Sequence, residues 1–149
     1  MRKLFLLLSL FTVMILSCGT EGKQGGETSS NKEGKRKFKI GITQIVAHPA
    51  LDKAREGFKD ALKEAGIEAE YDEKNANGEV STANLIANTL VSSKPNLIYA
   101  IATPTAQAAA QSTNEIPIVF SAITDPKSAG ILKGNVTGVS DRVNIKQQL

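Results

Sequence analysis

Leu97-Ile98-Tyr99-Ala100-Ile101-Ala102 runs straight into Thr103-Pro104-Thr105-Ala106, and this junction decides the fold. A short, unbroken apolar run is what a central parallel strand needs when both of its faces are covered. Threonine then suits a helix N-cap. Proline suits the first helical position, because the N–H it lacks would have no partner there anyway. A buried strand that passes directly into a helix is the repeating unit of an α/β sheet.

The same alternation extends in both directions. Upstream, Ile40-Gly41-Ile42-Thr43-Gln44-Ile45-Val46 reads as a mostly buried strand. Leu51, Ala54, Phe58, Ala61, Leu62 and Ala65 follow at helical spacing, with Lys53, Glu56, Lys59, Asp60, Lys63 and Glu64 around the other face. Gly66 is placed to end that helix in a left-handed conformation. Ile67, Ala69 and Tyr71 alternate with Glu68, Glu70 and Asp72, the period of a half-buried strand. After a turn at Asn75 to Gly78, the apolar positions Val80, Ala83, Ala87, Leu90 and Val91 return to helical spacing. Downstream, Ala106 to Gln111 continue the helix opened at Thr103, and Pro117 to Ser121 form a strand. Asp125-Pro126 repeats the cap-plus-proline signature before a short helix, and Val136 to Val139 form a last strand. The fold expected of residues 39–149 is therefore α/β: a parallel sheet with right-handed crossovers and helices on both faces, a Rossmann-like lobe.

The amino-terminal part has a different composition. Arg2 and Lys3 precede an apolar stretch from Leu4 to Leu16, too short to span a bilayer, as in a secretory signal. It ends in Ile15-Leu16-Ser17-Cys18, which resembles the lipobox of bacterial lipoproteins. Residues 1–17 are read as a lipoprotein signal peptide, with Cys18 as the lipidated residue that attaches the chain to the membrane. From Gly19 to Lys37 there is no aliphatic side chain, so residues 18–38 are read as the lipidated cysteine and a flexible linker. Lys35, Arg36 and Lys37 read as its solvated end.

Composition narrows the chemistry. Cys18 is the only cysteine, which excludes an internal disulfide and a cysteine zinc cluster. The formal charge of +3 loses the contribution of Arg2 and Lys3 with the signal, leaving +1. A near-neutral chain gives no electrostatic case for nucleic acid. The segment Thr43 to His48 lacks the Gly-x-Gly-x-x-Gly of a dinucleotide site and the glycine- and hydroxyl-rich loop of a flavodoxin. A receiver domain would need an aspartate where Ala102 and Thr103 stand. No enzyme and no cofactor is implied.

Ligands of a parallel sheet bind at the carboxyl ends of its strands. Three loops reach that edge: Gln44 to Pro49, Thr103 to Ala106, and Ser121-Ala122-Ile123-Thr124-Asp125. They supply hydroxyls, an amide, a carboxylate and helix-start N–H groups, but no pairing of nucleophile with base. Thr105 and Ala106 lie in a first helical turn, where N–H groups have no intrahelical partner and the helix dipole favours an anion. Thr103 and Thr105 can add hydroxyls. The same residues admit a structural reading, with Thr103 only a cap and Thr105 facing water. His48 reads as a surface loop residue, and Asp125 as an N-cap before it is a ligand for an ammonium group.

Taken in order, four segments resemble the ABC-transporter substrate-binding proteins that include tryptophan- and tyrosine-binding lipoproteins. They are Ile40 to Asp52, Ala102-Thr103-Pro104-Thr105-Ala106-Gln107, Ile123-Thr124-Asp125-Pro126, and Asn135-Val136-Thr137-Gly138-Val139-Ser140-Asp141. The resemblance covers Lys39 to Leu149. It implies a type I periplasmic-binding-protein fold that closes two lobes on an amino acid, often aromatic, and delivers it to ABC permease subunits at the extracytoplasmic face of the cell membrane. It also implies that the Thr103, Thr105 and Ala106 turn holds the ligand carboxylate. Gln44, Ser121, Ala122, Thr124 and Asp125 would then meet the remaining groups. A sugar or nucleoside receptor of the same fold is the nearest alternative; the lack of Trp and the scarcity of aromatics in the edge loops lean towards an amino acid. Asn144 to Leu149 read as the start of a helix where the chain would cross to the second lobe. The chain is thus expected to be the amino-terminal lobe, with the second lobe missing, and a non-functional truncated fragment is the bleaker form of that expectation.

Overall fold

The computed structural model describes residues 37–142. The readings of residues 1–36, including Cys18, and of Asn144 to Leu149 fall outside it. Five strands, β1 (Phe38–Gln44), β2 (Ala69–Asn75), β3 (Leu97–Ile101), β4 (Ile118–Ile123) and β5 (Val136–Ser140), form one sheet in the order β2-β1-β3-β4-β5. Every pairing is parallel. Three helices are described: α1 (Pro49–Glu64), α2 (Val80–Ser92) and α3 (Thr103–Ser112). No helix among the described residues is long and apolar enough to cross a membrane.

The helices divide between the faces, as the sequence pattern requires. On one face α2 and α3 bury Ala83, Ala87, Leu90, Ala106 and Ala109 against Ile98, Ala100, Ile118 and Phe120. Small residues on both helices let them lie close to the sheet and to each other. On the other face α1 has no fully buried residue; its Leu51, Phe58 and Leu62 lie against Ile40, Ile42, Tyr99 and Ile101. The Phe58 and Tyr99 rings stack with centroids 4.1 Å apart, which adds to their burial.

Local signals explain the boundaries. Gly66 takes φ +71°, its N–H bonds to Lys63 O at 3.0 Å, and Ile67 N–H bonds to Leu62 O at 2.9 Å. That pair of bonds is a Schellman end to α1. His48, expected as a loop residue, is the N-cap of α1, its Nδ1 accepting from Ala50 N–H at 3.2 Å. Other bounds differ from expectation. β1 stops at Gln44, so Ile45 and Val46 belong to the loop; β2 runs on to Asn75; and β4 extends past Ser121 to include Ala122 and Ile123, which the sequence pattern places in a loop. No helix follows Asp125-Pro126. Residues 126–130 form turns, closed by Ala129 N–H to Asp125 O at 3.0 Å and Gly130 N–H to Lys127 O at 3.0 Å.

Candidate functional site

The chain leaves β1 to one side to make β2, then crosses back to make β3 on the other side of β1. Connections on either side of β1 and β3 therefore diverge, and a crevice opens beyond their carboxyl ends. The loop after β1, the start of α3 and the end of β4 border it. The loop after β1 is tied to the one after β2 by Ala76 N–H to Gln44 O at 2.9 Å and Gly78 N–H to Ile45 O at 2.7 Å.

At the start of α3 the expected geometry shifts by one residue. Ala102, not Thr103, is the N-cap, with φ 81° and ψ 158°, a backbone region used almost only by glycine. This conformation swings the chain sharply from β3 into the helix. It is held by Ala102 N–H to Ser121 O at 3.0 Å and by Ala106 N–H to Ala102 O at 3.2 Å. Ala106 N–H is therefore engaged within the helix and is not a free donor. The first-turn amides without intrahelical acceptors are those of Thr103 and Thr105, since Pro104 has none.

The two threonines differ. Thr105 is fully buried. Its hydroxyl donates to Ile101 O at 2.7 Å and lies 2.9 Å from Ala102 O. It neither faces water nor offers its hydroxyl to a ligand; it braces the strained turn from inside. Thr103 is half-buried and keeps its hydroxyl available at the crevice.

At the end of β4, Ser121 shares its hydroxyl with Tyr99 at 2.7 Å, and Tyr99 OH also reaches Ala54 O at 3.2 Å. Burial pushes the Tyr99 phenol above its usual range, and the Ser121 hydrogen bond partly opposes this. The Tyr99 hydroxyl thus holds α1 to the sheet, and Ser121 positions the Tyr99 hydroxyl. Ala122 has φ 56°, a second non-glycine residue in the left-handed region at this edge. Thr124 is exposed. Asp125 uses both carboxylate oxygens on Ser128, accepting from its N–H at 3.0 Å and its hydroxyl at 2.9 Å. The Ser128 backbone bond, then its hydroxyl, holds the Asp125 carboxyl below the usual range. Its cap role is the one the structure displays, although the turn it caps does not become a helix.

Gln44 is also internal, 1% exposed. Its Nε2 donates to Val46 O and to Asp52 Oδ1, both at 2.8 Å. Sequence reasoning missed Asp52 and Arg55 as its partners, although their positions in the first two turns of α1 bring them back over the end of β1. Among the described residues no group of three or more His, Cys, Asp or Glu side chains could hold a metal ion. The edge offers a helix dipole, the Thr103 amide and the hydroxyls of Thr103 and Thr124, groups suited to a small polar molecule.

Comparison with known proteins gives the family. The family model for ABC transporter substrate binding proteins matches residues 39–149. A curated tyrosine-binding protein of Clostridioides difficile (strain R20291) is 40% identical over 147 residues, covering 91% of this chain and 43% of its own length. A conserved domain protein from Vibrio cholerae is 44% identical with a TM-score of 0.71, covering 74% of this chain and 41% of that one. The ligand-free, open structure of a substrate-binding protein with adhesive properties from Clostridium difficile gives 43% identity, a TM-score of 0.71 and the same shares, 74% and 41%. An ABC domain in complex with L-Trp from Streptococcus pneumonia is 38% identical with a TM-score of 0.71, covering 75% of this chain and 41% of that one. The chain thus spans 43% of the curated relative it matches. The Clostridioides and Clostridium relatives are binding proteins rather than enzymes, and the chain belongs to the ABC transporter substrate-binding protein family.

Proposed function

We propose that residues 39–149 form the amino-terminal lobe of an extracytoplasmic receptor that takes up an amino acid, tyrosine or tryptophan first, and passes it to the permease of an ABC importer. The observation that carries this reading is the first-turn amide of Thr103, set at the switch-point crevice by the Ala102 turn. An N–H donor at the positive end of a helix suits a carboxylate. The Thr103 hydroxyl adds a second donor. The carbonyl of Ala122 and the hydroxyl of Thr124 are acceptors for the ammonium group. Ala106 shapes the turn, while Ser121 and Asp125 fix the third loop through Tyr99 and Ser128. The second jaw comes from sequence of the kind that makes the relatives more than twice as long, and closure of two lobes about a hinge excludes water from the ligand.

Calorimetry on the purified chain with L-tyrosine, L-tryptophan, L-phenylalanine and ribose tests the ligand class. Heat from the aromatic amino acids and none from ribose is expected; ribose binding without amino-acid binding would overturn the reading. In the same proposal Cys18 carries the lipid after removal of residues 1–17 and holds the receptor at the membrane. Cys18→Ser should then abolish incorporation of labelled palmitate in a bacterial host and release the chain from the membrane fraction. Retained label would remove Cys18 from that role.

A further inference from the structure

Gln44 sits at the carboxyl end of β1 with almost no exposure, so each of its polar atoms must find a partner inside the protein. Nε2 divides its two hydrogens between Val46 O and Asp52 Oδ1, each at 2.8 Å. Oε1 faces Arg55 Nη1 at 3.5 Å. Arg55 in turn lies 3.5 Å from Asp52 Oδ1 and 3.4 Å from Glu73 Oε2, and Lys59 closes on the same Glu73 carboxylate. One buried amide therefore links the end of β1, the first turns of α1 and, through Arg55, the edge strand β2.

We infer that Gln44 is a positioning residue for the first crevice loop. It fixes the Val46 carbonyl relative to α1 and so sets the wall that residues 45–48 present to the ligand. Its consequence for binding rests on the amino-acid reading above; its consequence for loop order does not. The chemistry is specific to glutamine. Leucine supplies no donor, asparagine is a methylene too short, and a carboxylate would face Asp52 without a proton to give. The charged groups around this position are Asp52 and Arg55 from α1 and Glu73 from β2; from β3 the neighbour is Ile101, which carries no charge.

The test uses the full chain with Gln44→Leu and Gln44→Glu, reading amide hydrogen exchange and L-tyrosine affinity together. In Gln44→Leu the amides of Val46, Ala47 and His48 should exchange about tenfold faster and affinity should fall about tenfold, with β3 amides unchanged, as expected for loss of a buried hydrogen-bond donor. Gln44→Glu also removes both Nε2 hydrogens while keeping an oxygen for Arg55, so it should loosen the same loop amides. Loop exchange equal to wild type in both variants, or acceleration spread evenly over β3 and the loop, would overturn the inference. A wild-type chain that ignores L-tyrosine while Gln44→Leu still loosens only the loop contradicts the amino-acid reading and leaves the positioning role standing. Wild-type binding with an unaffected loop in Gln44→Leu does the reverse.

Discussion

The two faces of the sheet are held by different physics. Behind α2 and α3 the contacts are alanine, leucine and isoleucine packed closely, with the bulk of the fully buried side chains. Behind α1 the packing is looser, and hydrogen bonds position the helix: Tyr99 OH to Ala54 O and Ser121, and Gln44 to Asp52. The first face fixes where the sheet lies. The second fixes the loops that border the crevice. Close packing and hydrogen bonding thus dominate opposite sides of one sheet, while the crevice edge is built from both, by the loop before α1 and by the start of α3.

The largest effect is expected on the packed face. Leu90 is fully buried, and Leu90→Ala should cost about 3 kcal/mol in urea unfolding through lost burial and a residual cavity. Gly138 comes next. A Cβ there would lie 2.2 Å from Phe120 O and 2.6 Å from its ring, so Gly138→Ala should cost about 2 kcal/mol as β5 is pushed from β4. A loss under half that size would show that β5 has room to move. On the hydrogen-bonded face, Tyr99→Phe leaves the stacking on Phe58 intact and deletes only the hydroxyl, which should cost about 1 kcal/mol.

The same hydroxyl gives a pH signature. Because burial raises the Tyr99 pKa in the folded state, its contribution is complete below the unfolded value near 10 and is lost as pH rises through the folded one. Wild type should lose stability in that alkaline range more steeply than Tyr99→Phe; parallel curves would contradict it. At the crevice itself Ala102→Gly should raise stability by about 0.5 kcal/mol, because relief of the turn slightly exceeds the entropy glycine loses on folding. Destabilisation would mean that the alanine methyl is needed for packing.

The packed face was legible in the sequence because burial imposes periods. Leu97 to Ala102 could only be a covered strand, and Ala83, Ala87 and Leu90 mark one stripe of a helix. The hydrogen bonds at the crevice edge were not. Nothing in an alanine announces a positive φ, so the sequence points to Thr103 rather than Ala102 as the N-cap and sets the first turn one residue too late. Thr105 and Ser121 carry hydroxyls suited to a ligand, yet both are committed to internal partners: one to a carbonyl a turn away, the other to a tyrosine on the neighbouring strand. Asp125-Pro126 carries a good helix-start signature and Asp125 does cap the Ser128 N–H, but Gly130, at φ 68°, turns the chain out of the helix. Composition names the groups, whereas only the tertiary arrangement says which remain free.

In the proposed reading the Thr103 amide receives the ligand carboxylate. This is tested most directly by amide chemical shifts of the labelled chain titrated with L-tyrosine and, separately, with tyramine, which lacks the carboxylate. Saturable movement of the Thr103 resonance with L-tyrosine alone is the predicted result. Equal movement with tyramine, or L-tyrosine binding that leaves the Thr103 amide in place, would contradict it.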